Sequence, residues 1–197
     1  LISLLTQAVW LGEMELLSLG LLFAFLAPIL HLTRPSKEQW RRALAELMEL
    51  AGESGDLRLR RALAASRMLS CDVSAGFDPL YASVFEKKNA AMLGRSVCFN
   101  KFTGSRGKSG SNDANAEYLG KLRRIMDGNS VSWQTAELGK VDVGGGGTIA
   151  YICALYGMEV IDSGVAVLSM HAPEEIIDKA DLYEAVKAYA AFMREAE

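Results

Sequence analysis

The sequence predicts an α/β protein in which helices cover both faces of a sheet. Short apolar runs typical of strands alternate along the chain with amphipathic segments of about 10 to 15 residues. Half of the 197 residues are apolar, which is enough to bury a core. Elements in this order pack as layers, and the length favours one domain, or one domain with an appendage.

The charge and the cysteines exclude several classes of protein. The formal net charge is -3 at pH 7, whereas affinity for nucleic acid depends on a basic surface, so we expect no nucleic-acid partner. Cys71, Cys98 and Cys153 are widely spaced and form no C-x-x-C pair. This pattern indicates core thiols in a reducing compartment rather than disulfides or a zinc knuckle. We therefore expect a cytoplasmic protein.

The beginning of the chain differs in composition from the rest. Among the first 33 residues only Glu13 and Glu15 are charged. We therefore divide the chain into an apolar leading segment of uncertain origin, residues 1–34, and a domain, residues 35–197.

Three interpretations of the leading segment stay open. Leu16 to Leu32 is uncharged, but as a helix it reaches only about 25 Å, short of a hydrocarbon core of about 30 Å, and Pro28 interrupts it. Membrane association of residues 1–33 is therefore possible but not favoured. The alternatives are a core or interface helix and a sequence foreign to the domain that follows.

Five segments of the domain have helical periodicity. Ser36 and Gln39 have the spacing of a capping box, and apolar residues then recur on one face through Leu50. A polar residue at 111–113 is expected to cap the third helix. The predicted helices are 36–50, 57–65, 113–126, 148–156 and 179–193.

Apolar runs between these helices predict the strands. They cover residues 68–73, 96–102, 131–135, 159–161 and 164–170. The Gly- and Ser-rich stretch 103–113 is predicted to be an exposed loop.

Asp72 and His171 each stand at the end of a predicted strand. A carboxylate on a core strand is costly unless it is paired or binds a cation, so a structural salt bridge is the alternative for Asp72. Ends of strands are also where α/β proteins place ligand and metal chemistry. A carboxylate oxygen and an imidazole nitrogen brought together would suit Zn²⁺. The other histidine, His31, lies in the apolar leading segment and is expected to be structural.

A run of four glycines precedes Thr148. No lysine follows the glycines, so the spacing of a phosphate-binding loop is missing and a nucleotide site is not predicted. Unshielded backbone amides at the start of a helix allow a substrate to approach closely, and tight helix–sheet packing is the alternative. Lys101, where a strand meets a flexible stretch, suits a substrate carboxylate or is an ordinary surface charge.

Four stretches, in this order, closely resemble the C-terminal part of the aspartyl aminopeptidase family of metallopeptidases, especially its bacterial members. They are SCDVSAGFDP (70–79), NKFTGSRGKSGSNDANAEY (100–118), WQTAELGKVDVGGGGTIA (133–150) and DSGVAVLSMHAPEE (162–175). The resemblance covers roughly residues 36–197. It implies a three-layer α/β/α sandwich of the zinc-peptidase type, of which this chain holds the C-terminal part only.

The resemblance also implies a function. Family members remove N-terminal residues, acidic ones in some members, from peptides with two divalent metals, usually zinc, and the complete protein is expected to be a homo-oligomer. Asp72 matches a terminal metal ligand, and His171 matches a ligand on the partner metal. The positions that match the substrate pocket are Lys101, Gly144, Gly145, Gly146, Gly147 and Thr148.

Several residues that the family uses have no counterpart here. The family's N-terminal half supplies the first histidine ligand, the bridging aspartate and a Glu-Glu pair that includes the general base. This sequence has no H-x-D, and its only Glu-Glu pair, Glu174-Glu175, follows His171. We therefore assign no catalytic residue and expect the chain to be a poorly active portion of the enzyme. The alternative is a non-catalytic interaction or membrane-associated remnant of the same fold.

Overall fold

Helices and strands alternate in the computed structural model, which describes residues 9–11, 37–105, 109–140 and 146–196. The helices are α1 (Lys37–Leu50), α2 (Asp56–Ala65), α3 (Ala116–Gly128), α4 (Ala150–Ala154) and α5 (Lys179–Glu195), with a 3₁₀ helix at Pro79–Val84. The strands are β1 (Val9–Leu11), β2 (Arg67–Ser70), β3 (Ser74–Ala75), β4 (Val97–Asn100), β5 (Phe102–Ser105), β6 (Ser109–Asp113), β7 (Trp133–Ala136), β8 (Glu159–Gly164), β9 (Ala166–Leu168) and β10 (Ile176–Ile177).

The central sheet has five strands in the order β1-β2-β8-β4-β7. The pairs β2–β8 and β4–β7 are parallel, whereas β1–β2 and β4–β8 are antiparallel. A smaller sheet has the order β10-β9-β3, and β5 pairs with β6.

Helices cover both faces of the central sheet. Met68 of β2 and Val160 of β8 pack in one core with apolar residues of α1, α2 and α4. Their neighbours Leu69 and Ile161 pack in a second core with α3 and α5. Because successive side chains of a strand point to opposite faces, the two cores lie on opposite sides of the sheet. The predicted three-layer α/β/α arrangement is thus confirmed.

The prediction of an exposed loop at 103–113 is wrong for the residues that the structure describes there, because β5 and β6 pair as a hairpin. Thr103 and Asn112 face each other across it, and only 1% and 8% of their surfaces are exposed. The Asn112 amide donates to the Val160 carbonyl at 3.0 Å. The inner face of this hairpin is polar and is held by hydrogen bonds, so hydrophobic periodicity does not reveal it.

The hairpin also explains why the predicted cap of α3 is wrong. Residues 111–113 belong to β6, and the helix begins one turn later. Asn115 is the capping residue, and its side chain accepts the backbone N–H of Glu117 at 3.0 Å.

Most of the leading segment, with Leu16–Leu32 and His31, lies outside the described residues, as does Ser36 of the predicted capping box. Within it, Val9–Leu11 forms β1, which pairs with β2 at the edge of the sheet. Over the ranges that the structure describes, no helix has the length and apolar character needed to cross a membrane.

The three cysteines are free thiols, as predicted. Cys71 and Cys98 are buried, and Cys153 is half-buried. Burial raises the pKa of the Cys71 thiol to about 11 and that of Cys98 to about 12.

Candidate metal and substrate site

Asp72 lies two residues beyond the end of β2 and is half-buried. Burial raises the pKa of its carboxyl group, because a low-dielectric surrounding disfavours the charge. The backbone N–H of Val73 and the charge of His171 act in the opposite direction and lower this pKa. The Asp72 carboxylate therefore lies within electrostatic range of His171.

Gly164, the last residue of β8, allows the chain at Asp72 to pass close to the sheet. A Cβ atom on Gly164 would overlap the Asp72 carbonyl oxygen, and it would lie 2.6 Å from the carbonyl carbon and 2.9 Å from the Cα of Val73. Backbone atoms cannot yield as the end of a flexible side chain can. Only glycine therefore fits the strand against the backbone of Asp72.

His171 lies in the turn that connects β9 with β10. Its side chain is exposed, and its backbone has a φ of 68°, in the left-handed region that few residues other than glycine adopt. The N–H of His171 donates to Oε1 of Glu175 at 2.7 Å. Ser169, two residues earlier, has a φ of 57°. Such backbone conformations cost free energy and are common at functional sites.

The smaller sheet connects the two candidate ligands. β3 begins two residues after Asp72, and β9 ends three residues before His171. These strands pair in parallel, with Ser74 opposite Ala166. The segments that carry the two residues are therefore joined by backbone hydrogen bonds.

The donor chemistry of Asp72 and His171 fits zinc, which binds carboxylate oxygen and imidazole nitrogen. Two donors do not complete a zinc site, which uses three or four protein ligands. Among the residues that the structure describes, no group of three or more His, Cys, Asp or Glu side chains is placed to hold a metal ion.

Lys101 joins β4 to β5 and forms an ion pair with Asp113, its neighbour across the hairpin. The lysine side chain is 38% exposed and that of Asp113 is 66% exposed. The candidate substrate-binding cation therefore has a carboxylate partner that water can reach.

The glycine run is described only in part. Gly144 and Gly145 lie outside the described residues, whereas Gly146, Gly147 and Thr148 lead into α4. A Cβ atom on Gly146 would lie 2.7 Å from Cδ2 of Leu138. Gly147 is exposed, and Thr148 is buried.

Asp162 of β8 is a buried acid that the sequence analysis missed. Its Oδ2 atom accepts the hydroxyl of Thr148 at 2.7 Å and that of Thr103 at 3.1 Å. The pKa of this carboxyl group is raised to about 6, mainly by burial. Nearby hydroxyls lower this pKa, and the Asp72 charge raises it. The sequence contained a signal for Asp162, because it is an acid within an apolar strand. The argument that such a carboxylate must be paired or bind a cation, which singled out Asp72, applies to Asp162 as well.

Polar residues flank Asp162 on both neighbouring strands. The register places Ser70 of β2 and Asn100 of β4 directly opposite it. Asn100 accepts the hydroxyl of Ser74 at 3.1 Å. Within the described ranges, neither Oδ1 of Asp162 nor the Ser70 hydroxyl makes a hydrogen bond of good geometry. A polar row thus crosses the three middle strands, β2, β8 and β4.

Comparison with protein families identifies the family of this chain. The family model described as aminopeptidase I zinc metalloprotease (M18) matches residues 38–193. The chain belongs to the M18 family. Asp72, Lys101, Thr148 and His171 all lie in the matched region of this M18 chain.

Similar M18 proteins are found in several bacteria. A probable M18 family aminopeptidase 1 of Clostridium acetobutylicum is 63% identical over 150 residues, which cover 76% of this chain and 32% of that protein. A probable M18 family aminopeptidase 1 of Borreliella burgdorferi is 47% identical over 143 residues, or 73% of this chain and 31% of that protein. The chain spans about a third of the length of these relatives.

Solved structures confirm the fold. The aminopeptidase I from Clostridium acetobutylicum matches with a TM-score of 0.71 and 59% identity, over 79% of this chain and 34% of that one. The M18 aminopeptidase from Thermotoga maritima matches with a TM-score of 0.75 and 42% identity, over 79% and 35%. The fold that the resemblance implies for the domain is therefore that of solved M18 aminopeptidases.

Proposed function

We propose that residues 35–197 form the C-terminal part of the catalytic domain of a metallo-aminopeptidase, which removes N-terminal residues from peptides. The observation that carries this proposal is the parallel pairing of β3 with β9, which joins the segments that carry Asp72 and His171 from distant parts of the chain. Their donor chemistry and the M18 family of the chain support it. Residues 1–34 remain, in this proposal, a leading segment, of which Val9–Leu11 pairs with the edge of the sheet as β1.

Asp72 and His171 are the residues that would hold zinc, each on a different ion of a pair. Zinc held by these residues would supply a Lewis acid that polarises the scissile carbonyl and lowers the pKa of a water molecule. The contribution of this chain is to place the two donors. Gly164 lets the Asp72 backbone lie against β8, and Glu175 holds the backbone of His171.

The proposed substrate contacts come from Lys101 and the run Gly144–Thr148. A substrate with an acidic N-terminal residue brings a carboxylate, which would compete with Asp113 for the Lys101 ammonium group. Because the Lys101–Asp113 pair is partly exposed, water screens it and its disruption costs little. Exposed backbone at Gly147 leaves room for the peptide.

The isolated chain is expected to turn over substrate poorly. No general-base glutamate is assigned to it, and proton transfer from the attacking water requires such a group. As parts of the same proposal, the protein acts in the cytoplasm, where its free thiols stay reduced, and the complete enzyme is a homo-oligomer.

Zinc binding tests this function directly. Isothermal titration of the chain with Zn²⁺ is expected to show weak binding that His171→Ala and Asp72→Asn each abolish. Glu174→Gln is the matched control, because Glu174 is exposed and lies three residues from His171. Its affinity should equal that of the wild type.

An assay with an acidic aminoacyl substrate and added Zn²⁺ completes the test. Turnover near background is expected. Turnover that disappears in His171→Ala would confirm the aminopeptidase and contradict the expected low activity. Absence of zinc binding, or binding that both variants retain, would reject the metal site and favour a non-catalytic interaction protein of the same fold.

A further inference from the structure

The side chain of Asp162 joins three segments that are distant in sequence. Asp162 lies in β8, Thr103 in the β5–β6 hairpin just after Lys101, and Thr148 at the end of the glycine run. One oxygen, Oδ2, accepts both threonine hydroxyls. The hydroxyl of Thr148 in turn accepts the N–H of Ala150, the first residue of α4, at 3.3 Å.

A buried carboxylate at this place costs stability. Asp162 is fully buried, and in the described ranges its Oδ1 atom has no hydrogen-bond partner. An apolar residue of similar volume in place of a buried charge is often neutral or stabilising. Stability is therefore a poor explanation for this acid, whereas its two hydroxyl contacts have a clear geometric consequence.

We propose that Asp162 is a positioning residue that holds residues 146–148, the described end of the glycine run, in one fixed relation to the strand that follows Lys101. It does so through the hydroxyls of Thr148 and Thr103. The inference deepens the proposed function, since these two segments are the proposed substrate contacts. In this proposal Asp162 sets the relative position of the two segments and does not itself touch substrate. A shift of about 1 Å in such a contact is enough to weaken productive binding.

The position of Asp162 in the sheet makes it suited to this role. It lies on the central strand β8, between β2 and β4. Helices pack on both faces of this strand, so the carboxylate is carried by a strand that is buried on both sides. Thr103 and Thr148 are held to this strand through their hydroxyls.

Amide hydrogen exchange of the 197-residue chain, followed by NMR without zinc or substrate, tests the proposal. Thr148→Val should speed exchange in the other segment, at Ala114, whose N–H donates to the Lys101 carbonyl. Thr103→Val should speed exchange at Ala150. Each change is expected to be about tenfold or more, the lower end of the range for a lost hydrogen bond to a charged group.

Two further sets of variants identify the carboxylate as the link. Thr148→Ser and Thr103→Ser keep the hydroxyl and should restore the wild-type rates. In the Asp162→Ala background both segments should exchange faster, and neither valine variant should add an effect on the other segment. Asp162→Leu, which fills the space with apolar atoms, gives the same comparison if the alanine variant does not fold.

Ser163→Ala is the matched control. Ser163 is the buried neighbour on the same strand, and its hydroxyl makes no hydrogen bond within the described residues. The proposal is overturned if each valine variant affects its own segment only, or if the Asp162 variants change exchange no more than Ser163→Ala does. The experiment needs neither metal nor turnover, so a failure to bind zinc would reject the proposed function and leave this result standing.

Discussion

The two candidate ligands are held in opposite ways. Asp72 follows a central strand, is half-buried and passes against Gly164 so closely that no Cβ atom fits between them. His171 lies on an exposed turn with a left-handed backbone, and a single side-chain acceptor, Glu175, holds its N–H. The core thus fixes one ligand, whereas local hydrogen bonding places the other. Changes on the Asp72 side should cost stability, and changes on the His171 side should mainly alter the geometry of the site.

The largest effect is expected from Gly164→Ala. The new methyl group would overlap the backbone of Asp72, so β8 and the β2–β3 connection must separate. We expect the free energy of unfolding to fall by about 3 kcal/mol or more, at the upper end for overpacking, because backbone rather than a side chain must move. Chemical denaturation measures this change.

Gly128→Ala is the control for Gly164→Ala. Gly128 ends α3, and a Cβ atom there meets nothing within 4 Å. This variant should be neutral or more stable by up to about 1 kcal/mol, since alanine favours the helix. Equal effects of the two substitutions would show that the close approach of Gly164 to the Asp72 backbone does not determine the stability of this part of the sheet.

Asp162 provides a second, smaller effect on the buried side, and it depends on pH. Burial raises the pKa of Asp162 from 3.8 to about 6. A raised pKa means that the folded state holds the proton more tightly, so this contribution to stability is present below pH 4 and is lost as the pH rises through 6. Between pH 4.5 and pH 7 the loss amounts to about 2 kcal/mol.

Asp162→Asn should remove this pH dependence. The measurement is the free energy of unfolding of the variant and the wild type at pH 4.5 and pH 7, and the quantity of interest is how the gap between them changes. The variant should gain relative to the wild type as the pH rises. Since every other titrating group is common to both proteins, a constant gap would mean that Asp162 does not titrate in this range.

The layers of the fold could be predicted from the sequence, but the polar contacts could not. Apolar periodicity predicts helices at 36–50 and 179–193 because each buries one face against the sheet, and the structure has them at Lys37–Leu50 and Lys179–Glu195. The hairpin at 103–113 was missed because its inner face, with Thr103, is polar. Hydrogen bonds that join distant segments leave no periodic signal along the chain.

The candidate site divides in the same way. Asp72 and His171 were found because each ends an apolar strand and matches a family motif. Gly164 was not singled out, because its importance depends on which backbone passes over it. Asp162 was open to prediction as an acid in an apolar strand, whereas its contacts with Thr103 and Thr148 were not, because only the fold brings these residues together.

The smallest effect on stability is expected on the exposed side, from Glu175→Ala. This change removes the acceptor of the His171 N–H, a partly exposed contact, and should lower the free energy of unfolding by no more than about 1 kcal/mol. The turn from Ser169 to Glu175 should nevertheless rearrange, because the left-handed backbone of His171 then has no acceptor to stabilise it. Zinc affinity, measured by titration, is expected to fall by about tenfold, as when a group that orients a metal ligand is lost. Glu175→Gln keeps an oxygen that accepts the same N–H and should recover most of the affinity, and Glu174→Gln should behave as the wild type. If Glu175→Ala instead costs as much stability as Gly164→Ala, the exposed turn is part of the core's cooperative unit and the contrast between the two ligands is wrong.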